Sequence, residues 1–159
     1  MLGHPISDTT SPNIQIIYPQ NISYNINVSQ LNYTVFDNIT LDKCWYSINN
    51  GVTNTTVSCG NNISGLTSNE GNNTWKILAN DTSGNVNSSS ITFFKDTFFP
   101  KFSNYSENPV NNSVYSQGQF YEFNVTINES NLDRVLINFN GTNYTNVYPR
   151  GGGVYSFNR

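Results

Sequence analysis

Charge is what this chain has least of. Of its 159 residues, 7 are Lys or Arg and 10 are Asp or Glu, so that 11% are charged, against about 25% in an average soluble domain. The four Lys and three Arg are scattered without a basic run, which excludes a protein that holds nucleic acid by phosphate electrostatics. Long hydrophobic runs are absent too. Stretches such as Ile16-Ile17-Tyr18 and Phe93-Phe94 fall far short of the roughly 18 apolar residues of a membrane span, so no span is expected. The first five residues, Met1-Leu2-Gly3-His4-Pro5, carry neither the basic start nor the apolar stretch of a secretory signal. Histidine occurs once, as His4, where a tail residue is expected; Ser-His and Cys-His catalysis and His-ligated metal are thereby excluded. Cys44 and Cys59, 15 positions apart, are too few for a zinc site and are not spaced as a redox C-x-x-C pair. A disulfide is the better reading in an oxidising compartment. Gly151-Gly152-Gly153 is followed by neither Lys nor a helical pattern, so no phosphate-binding loop is expected.

Neutral polarity fills the surface instead. There are 29 Asn, 18 Ser and 15 Thr. Fifteen of the Asn open an N-x-[ST] sequon: Asn21, Asn27, Asn32, Asn38, Asn54, Asn62, Asn72, Asn80, Asn87, Asn104, Asn111, Asn124, Asn128, Asn140 and Asn143. Random placement gives about six, and the strand period of two, which groups polar residues at i and i+2, raises that to about ten. The excess suits an N-glycosylated extracellular surface. Drift in an AT-rich genome is the alternative. It should enrich Lys as well, and Lys occurs four times.

Self-comparison sets the domain boundaries. Asp8-Thr9-Thr10-Ser11-Pro12 recurs as Asp96-Thr97-Phe98-Phe99-Pro100, an offset of 88. Asn32-Tyr33-Thr34-Val35 matches Asn124-Val125-Thr126-Ile127 at 92, and the segment from Leu41 to Asn49 matches Leu132 to Asn140 at 91. Small offset changes are loop insertions between strands of constant length, which implies two copies of one fold. Residues 1–11 are then expected to be a linker from a preceding repeat, 12–95 a complete domain, and 96–159 a second copy lacking the last two strands, those matching Trp75 to Ala79 and Ile91 to Phe94.

The periodicity is two, not 3.6. Leu31, Tyr33 and Val35 alternate with Asn32 and Thr34; Cys44, Tyr46 and Ile48 with Trp45 and Ser47; Trp75, Ile77 and Ala79 with Lys76 and Leu78. Turn chemistry separates the runs at 49–51, 70–73 and 82–85. Seven short strands in about 85 residues suit a β-sandwich of immunoglobulin-like topology, so the fold class expected is all-β, tandem sandwiches with the second truncated.

Three motifs carry a resemblance. Tyr46-Ser47-Ile48-Asn49-Asn50-Gly51 is similar to a Y-S-L-D-N-G hairpin, Glu70-Gly71-Asn72-Asn73-Thr74-Trp75 to an E-G-x-N strand, and Ala79-Asn80-Asp81-Thr82-Ser83-Gly84-Asn85 to A-x-D-x-x-G-N. With the D-T-x-x-P linker, the chain resembles the Ig-like or fibronectin-III-like repeats of prokaryotic surface proteins, archaeal in style. The resemblance implies a non-catalytic spacer or scaffold in a surface-layer, stalk or adhesin-type glycoprotein, with neighbouring repeats of the same polypeptide as partners and surface glycans or cell-surface proteins as further candidates. It also implies an extracellular, cell-surface location. The alternative is a carbohydrate- or protein-binding module of a larger secreted protein.

A turn centred near Gly51 and Val52 would set Cys44 opposite Cys59, a loop closure worth about 3 kcal/mol. Val135 replaces Cys44 in the second copy, so the bond is no requirement of the fold. Among the carboxylates, Asp37, Asp42, Glu70 and Asp81 in the first copy and Glu107, Glu122, Glu129 and Asp133 in the second, no facing pair suggests glycosidase chemistry. Asp37, Asp42 and Asp81 are expected to hold turns, with a loop calcium site as the lesser alternative; neither metal nor cofactor nor catalysis is expected. Stacking aromatics for a binding module would be Phe36, Trp45, Tyr105, Tyr121 or Tyr144. Phe93, Phe94, Phe98, Phe99 and Phe102 flank the linker, which favours packing between domains.

Overall fold

The computed structural model describes residues 8–114, 116–145 and 147–158. His4 and the start of the expected linker lie outside them. The described residues are all strand, turn and loop, with no helix, and divide into two compact units, Met1–Thr97 and Phe98–Arg159.

In the first unit, β1 (Asn13–Tyr18), β3 (Gln30–Phe36) and β6 (Ile63–Ser64) form one sheet in the order β1-β3-β6. The other sheet contains β2 (Ser23–Tyr24), β4 (Leu41–Ser47), β5 (Thr55–Val57), β7 (Gly71–Asp81) and β8 (Val86–Lys95) in the order β2-β8-β7-β4-β5. Eight strands thus stand where the periodicity gave seven. The two-residue β2, which pairs parallel with β8, is too short to show a period.

Both sheets supply one core. Leu31, Tyr33 and Ile63 from the first meet Trp75, Ile77 and Phe93 from the second, with Val28 and Leu66 from loops. Trp75 and Phe93 pack edge to face at 5.0 Å between ring centroids, the arrangement favoured by aromatic quadrupoles. On β7 the alternation runs through Asn73, Trp75, Ile77, Ala79 and Asp81, all buried. The inward row therefore begins and ends on a polar side chain, and each holds a turn. Asn73 Oδ1 accepts the Asn69 amide while its Nδ2 donates to the Asn69 and Gly71 carbonyls. Asp81 Oδ1 accepts the amides of Ser83 and Asn85, and Asn85 Nδ2 donates to Asp81 Oδ2. The E-G-x-N and A-x-D-x-x-G-N patterns are thus loop chemistry at the two ends of one core strand.

The second unit contains β9 (Lys101–Asn108), β10 (Glu122–Asn128), β13 (Tyr148–Gly151) and β14 (Val154–Asn158) in a sheet ordered β13-β14-β10-β9, and a separate hairpin of β11 (Ile137–Phe139) and β12 (Thr142–Tyr144). The three glycines at 151–153 turn β13 into β14, all at positive φ, between 58° and 87°. The Asn140-Gly141 turn of the β11–β12 hairpin has φ of 49° and 76°, the left-handed pair that a two-residue hairpin loop requires.

The two units share a register. In β1·β3 the partners are Ile14↔Val35, Gln15↔Thr34 and Ile16↔Tyr33, then a bulge, then Tyr18↔Asn32. In β9·β10 they are Phe102↔Ile127 and Ser103↔Thr126, then a bulge, then Ser106↔Asn124. Adding 88 to the first strand and 92 to the second converts Ile14↔Val35, Gln15↔Thr34 and Tyr18↔Asn32 into these three, while Ile16↔Tyr33 has no paired counterpart. Leu31↔Ile63 in β3·β6 likewise corresponds to Phe123↔Phe157 in β10·β14.

Candidate functional site

Cys44 and Cys59 are bonded, their Cα atoms 5.2 Å apart. The expected register is corrected, however. Cys44 pairs with Val57, Trp45 with Thr56 and Tyr46 with Thr55, so the hairpin centres between Asn50 and Gly51 and Cys59 lies two residues beyond the position opposite Cys44. The turn chemistry sets this centre: Asn50 and Gly51 hold φ of 58° and 90°, and Ser47 Oγ accepts the amides of Asn49 and Gly51. Past Val57 the chain turns again, with the Asn61 amide on the Ser58 carbonyl, which returns Cys59 toward the buried Cys44.

None of the fifteen sequon asparagines is buried. Asn32, Asn80 and Asn124 are half-buried and the others exposed. They differ in what the amide nitrogen does. Asn80 Nδ2 donates twice, to Asp42 Oδ2 at 2.9 Å and to the Asp81 carbonyl at 3.2 Å. Asn87 donates to the Pro12 carbonyl, Asn27 to the Leu66 carbonyl, Asn38 to Asp8 Oδ1 and Asn104 to Thr126 Oγ1.

The carboxylates do not converge as a catalytic pair. Glu70 bonds the Thr97 hydroxyl and the Lys95 ammonium, Glu122 the Arg150 guanidinium at 2.8 Å, Glu129 the Asn131 amide and Asp42 the Asn80 side chain. Glu107 lies on an apolar cleft of about 450 Å³ in the second unit, lined by Phe102, Tyr105, Phe123, Val125, Leu136 and Phe157 among others. Asp133 is exposed beside Arg134.

Of the aromatics offered for stacking, Phe36 and Tyr105 are exposed, whereas Trp45, Tyr121 and Tyr144 are half-buried. Phe36 and Trp45 belong to different sheets of the first unit, and Tyr144 packs on Phe157 at 5.2 Å.

One carboxylate cluster has a different membership from the Asp37, Asp42 and Asp81 set considered in the sequence, with Asp8 in place of Asp42. Asp8, Asp37 and Asp81 bring one carboxylate oxygen each to within 4.8 Å of the others, the single group among the described residues with the donors to hold a metal ion. Each also has a turn role. Asp8 Oδ1 accepts the Thr10 amide and Asp37 Oδ2 the Ile39 amide, while Asp81 holds the loop after β7. Burial pushes the Asp81 carboxyl up, but hydrogen bonds from the Asn85 side chain and from the amides of Asn85, Ser83 and Gly84 outweigh it and hold the group below its ordinary range. Of the three aspartates expected to hold turns, Asp37 and Asp81 do, whereas Asp42 lies within β4 and accepts the Asn80 side chain of β7. Asp8 falls in the stretch expected to be a linker, and the recurrence of its Asp-Thr at 96–97 is the sequence signal that sets it apart.

No protein-family model matches the chain, and no curated protein matches it. Among the described residues, no helix is long and apolar enough to cross a membrane.

Proposed function

We propose that the chain is a segment of tandem immunoglobulin-like, fibronectin-III-like repeats from an extracellular cell-surface glycoprotein, serving as a non-catalytic spacer or scaffold. The observation that carries this reading is the common register. Strand pairs β1·β3 and β9·β10 with three corresponding partner pairs and a bulge between the same two of them, the first strand at the 88 of the D-T-x-x-P recurrence and the second at the 92 of the Asn32–Val35 match, are what two copies of one sandwich produce. In the first unit, the sheet orders β1-β3-β6 and β2-β8-β7-β4-β5 suit the two-sheet arrangement of that class. The disulfide suits an oxidising compartment, and fifteen sequons without a buried member suit a glycan-bearing surface, because a glycan has no place in a close-packed core.

A binding module is the second reading, and the apolar cleft of the second unit favours it. Sugar recognition needs placed polar groups beside its stacking ring, whereas Phe123, Val125 and Phe157 on this cleft stand where Leu31, Tyr33 and Ile63 form the core of the first unit. The spacer reading accounts for that without a ligand.

Peptide mass mapping of the chain recovered from cells that make it naturally is the test. Glycans are expected at sequons whose amide nitrogen is unengaged, such as Asn54, Asn72 and Asn140. Asn80, both of whose amide hydrogens are committed, should be bare. Recovery from the cytoplasm with every sequon unmodified would overturn the reading in favour of compositional drift.

A further inference from the structure

We propose that Asn140 is a site of spontaneous modification, in which the Gly141 amide nitrogen attacks the Asn140 side chain and converts it, through a succinimide, to aspartate and isoaspartate. Asn50, in the same dipeptide, is held against that reaction. Asn-Gly occurs twice in the chain, and glycine obstructs the attack least because it has no Cβ. Both pairs turn a hairpin with left-handed dihedrals, Asn50 and Gly51 at φ of 58° and 90°, Asn140 and Gly141 at 49° and 76°. Both asparagines are exposed. Sequence, turn conformation and solvent access are thus common to the two sites, and what differs is how the nucleophile is held.

At the first site the Gly51 amide is engaged. It donates to Ser47 Oγ at 2.8 Å, and the Asn50 amide donates to the Thr74 carbonyl of β7 at 3.0 Å. Asn49 closes the loop further, its Oδ1 accepting the Thr53 amide and its Nδ2 donating to Thr53 Oγ1. A Cβ at Gly51 would lie 3.7 Å from Lys76 Cδ, so the turn also rests on a β7 side chain. At the second site, among the described residues, no hydrogen bond engages the Gly141 amide, and no atom lies within 4 Å of where a Cβ would stand. Its hairpin is two strands of three residues in a sheet of their own. So short a ribbon opens locally at little cost, which frees the side chain to meet the nitrogen.

Water is the only other reactant. The Gly141 nitrogen gives its proton to solvent as its bond to Asn140 Cγ forms; the Cγ–Nδ2 bond breaks, and the nitrogen leaves as ammonia with a proton taken from solvent. Water then opens the five-membered ring at either carbonyl. One opening gives aspartate, the other an isoaspartate through which the main chain runs one methylene longer. Either product sets a carboxylate on the exposed turn, and the longer one does not fit the two-residue left-handed loop that pairs Phe139 with Thr142. Asn140-Gly141-Thr142 is also a sequon. A glycan is carried on the same Nδ2 that departs as ammonia, so the two modifications exclude each other at this side chain. The inference does not depend on the proposed function, since it concerns the unglycosylated chain.

The test incubates the full chain, made in cells without N-glycosylation, in warm, mildly alkaline buffer and follows both asparagines by peptide mass mapping, native and in guanidinium chloride. Native Asn140 should convert about tenfold faster than Asn50 or more, because the bonds around Gly51 must open first. Unfolded, the two rates should converge, since only the shared dipeptide then acts. Ser47→Ala, which frees the Gly51 amide, should speed conversion of Asn50 severalfold and leave that of Asn140 unchanged. Circular dichroism confirms that this variant folds; if it does not, the native and unfolded rates of the unaltered chain decide. Equal native rates, faster conversion of Asn50, or an excess at Asn140 that persists in guanidinium chloride overturns the proposal, as does an unchanged Asn50 rate in folded Ser47→Ala. None of these results touches the glycan mapping that tests the proposed function.

Discussion

The two units begin alike and end differently. Through β1, β3 and β6 on one side and β9, β10 and β14 on the other, the pairing partners correspond. In the first unit, β7 and β8 then lay Trp75, Ile77 and Phe93 over Leu31, Tyr33 and Ile63, and the cluster is buried. In the second, the counterparts Phe123, Val125 and Phe157 line a cleft, and Phe102, in the place of Ile14, is exposed. Matching strands therefore do not make matching cores. A sheet buries one face only against another layer, and the hairpin β11–β12 covers less than β7 and β8 do.

The largest effect that could break this comparison is a deletion in the buried layer. Trp75→Ala should cost the first unit about 3–5 kcal/mol, whereas Phe123→Ala in the half-open unit should cost about 1–2 kcal/mol, because less apolar area leaves water there. Hydrogen exchange read by mass spectrometry resolves the units separately; equal costs would mean that the cleft is closed in solution.

Reduction comes next. Both cysteines lie in the first unit, so a reductant, or the pair Cys44→Ala and Cys59→Ala, should destabilise that unit by about 3 kcal/mol and leave the second unchanged. Denaturant unfolding followed by tryptophan fluorescence isolates the effect, since Trp45 and Trp75 are both in the first unit.

A smaller change should act on the second unit alone. A Cβ at Gly153 would stand 2.7 Å from the Ile127 carbonyl oxygen, at a φ of 76°. That oxygen belongs to backbone and cannot swing aside, so Gly153→Ala should cost about 1–3 kcal/mol. At Gly65, with φ of 74° and no atom within 4 Å, the same change should cost only the backbone strain of about 1–2 kcal/mol. Exchange protection of β10 and β14 checks the first, and tryptophan fluorescence the second.

The smallest effect is acid sensitivity. The Thr97 hydroxyl is the chief cause holding the Glu70 carboxyl below its ordinary 4.5; burial opposes it, and the Thr97 amide and Lys95 add to the lowering. A depressed carboxylate contributes stability that is present above its unfolded value and is lost as pH falls through the folded one. The first unit should therefore weaken as pH drops below about 4.5, and Glu70→Gln should flatten that slope. The side chain is a third exposed, so salt should reduce the effect. A thermal melt series in pH, with and without the substitution, measures it.

Much of this was legible along the chain because it is local. The period of two on β3 and β7, the Asn-Gly turns and the loop motifs around Asn73 and Asp81 depend on residues a few positions apart, whose dihedral and hydrogen-bonding preferences act wherever they sit. The recurrence of D-T-x-x-P gave the offset that the strand register reproduces, since strand length and loop insertion are one-dimensional properties. Even the cysteine pair was readable, being the two ends of a single hairpin, although the turn residues moved its centre by one position. Tertiary structure alone decided what distant segments do together. β2 runs parallel to β8 through two residues, too few for any pattern, and Asp8 meets Asp37 and Asp81 because three loops collect at one end of the unit. The openness of the second unit's inner face was likewise not a property of β10, whose Phe123, Val125 and Ile127 alternate as Leu31, Tyr33 and Val35 do, although β9 sets Asn104 and Ser106 where β1 has Ile16 and Tyr18. Burial is conferred by the opposite layer, and no strand contains the information about what lies across from it.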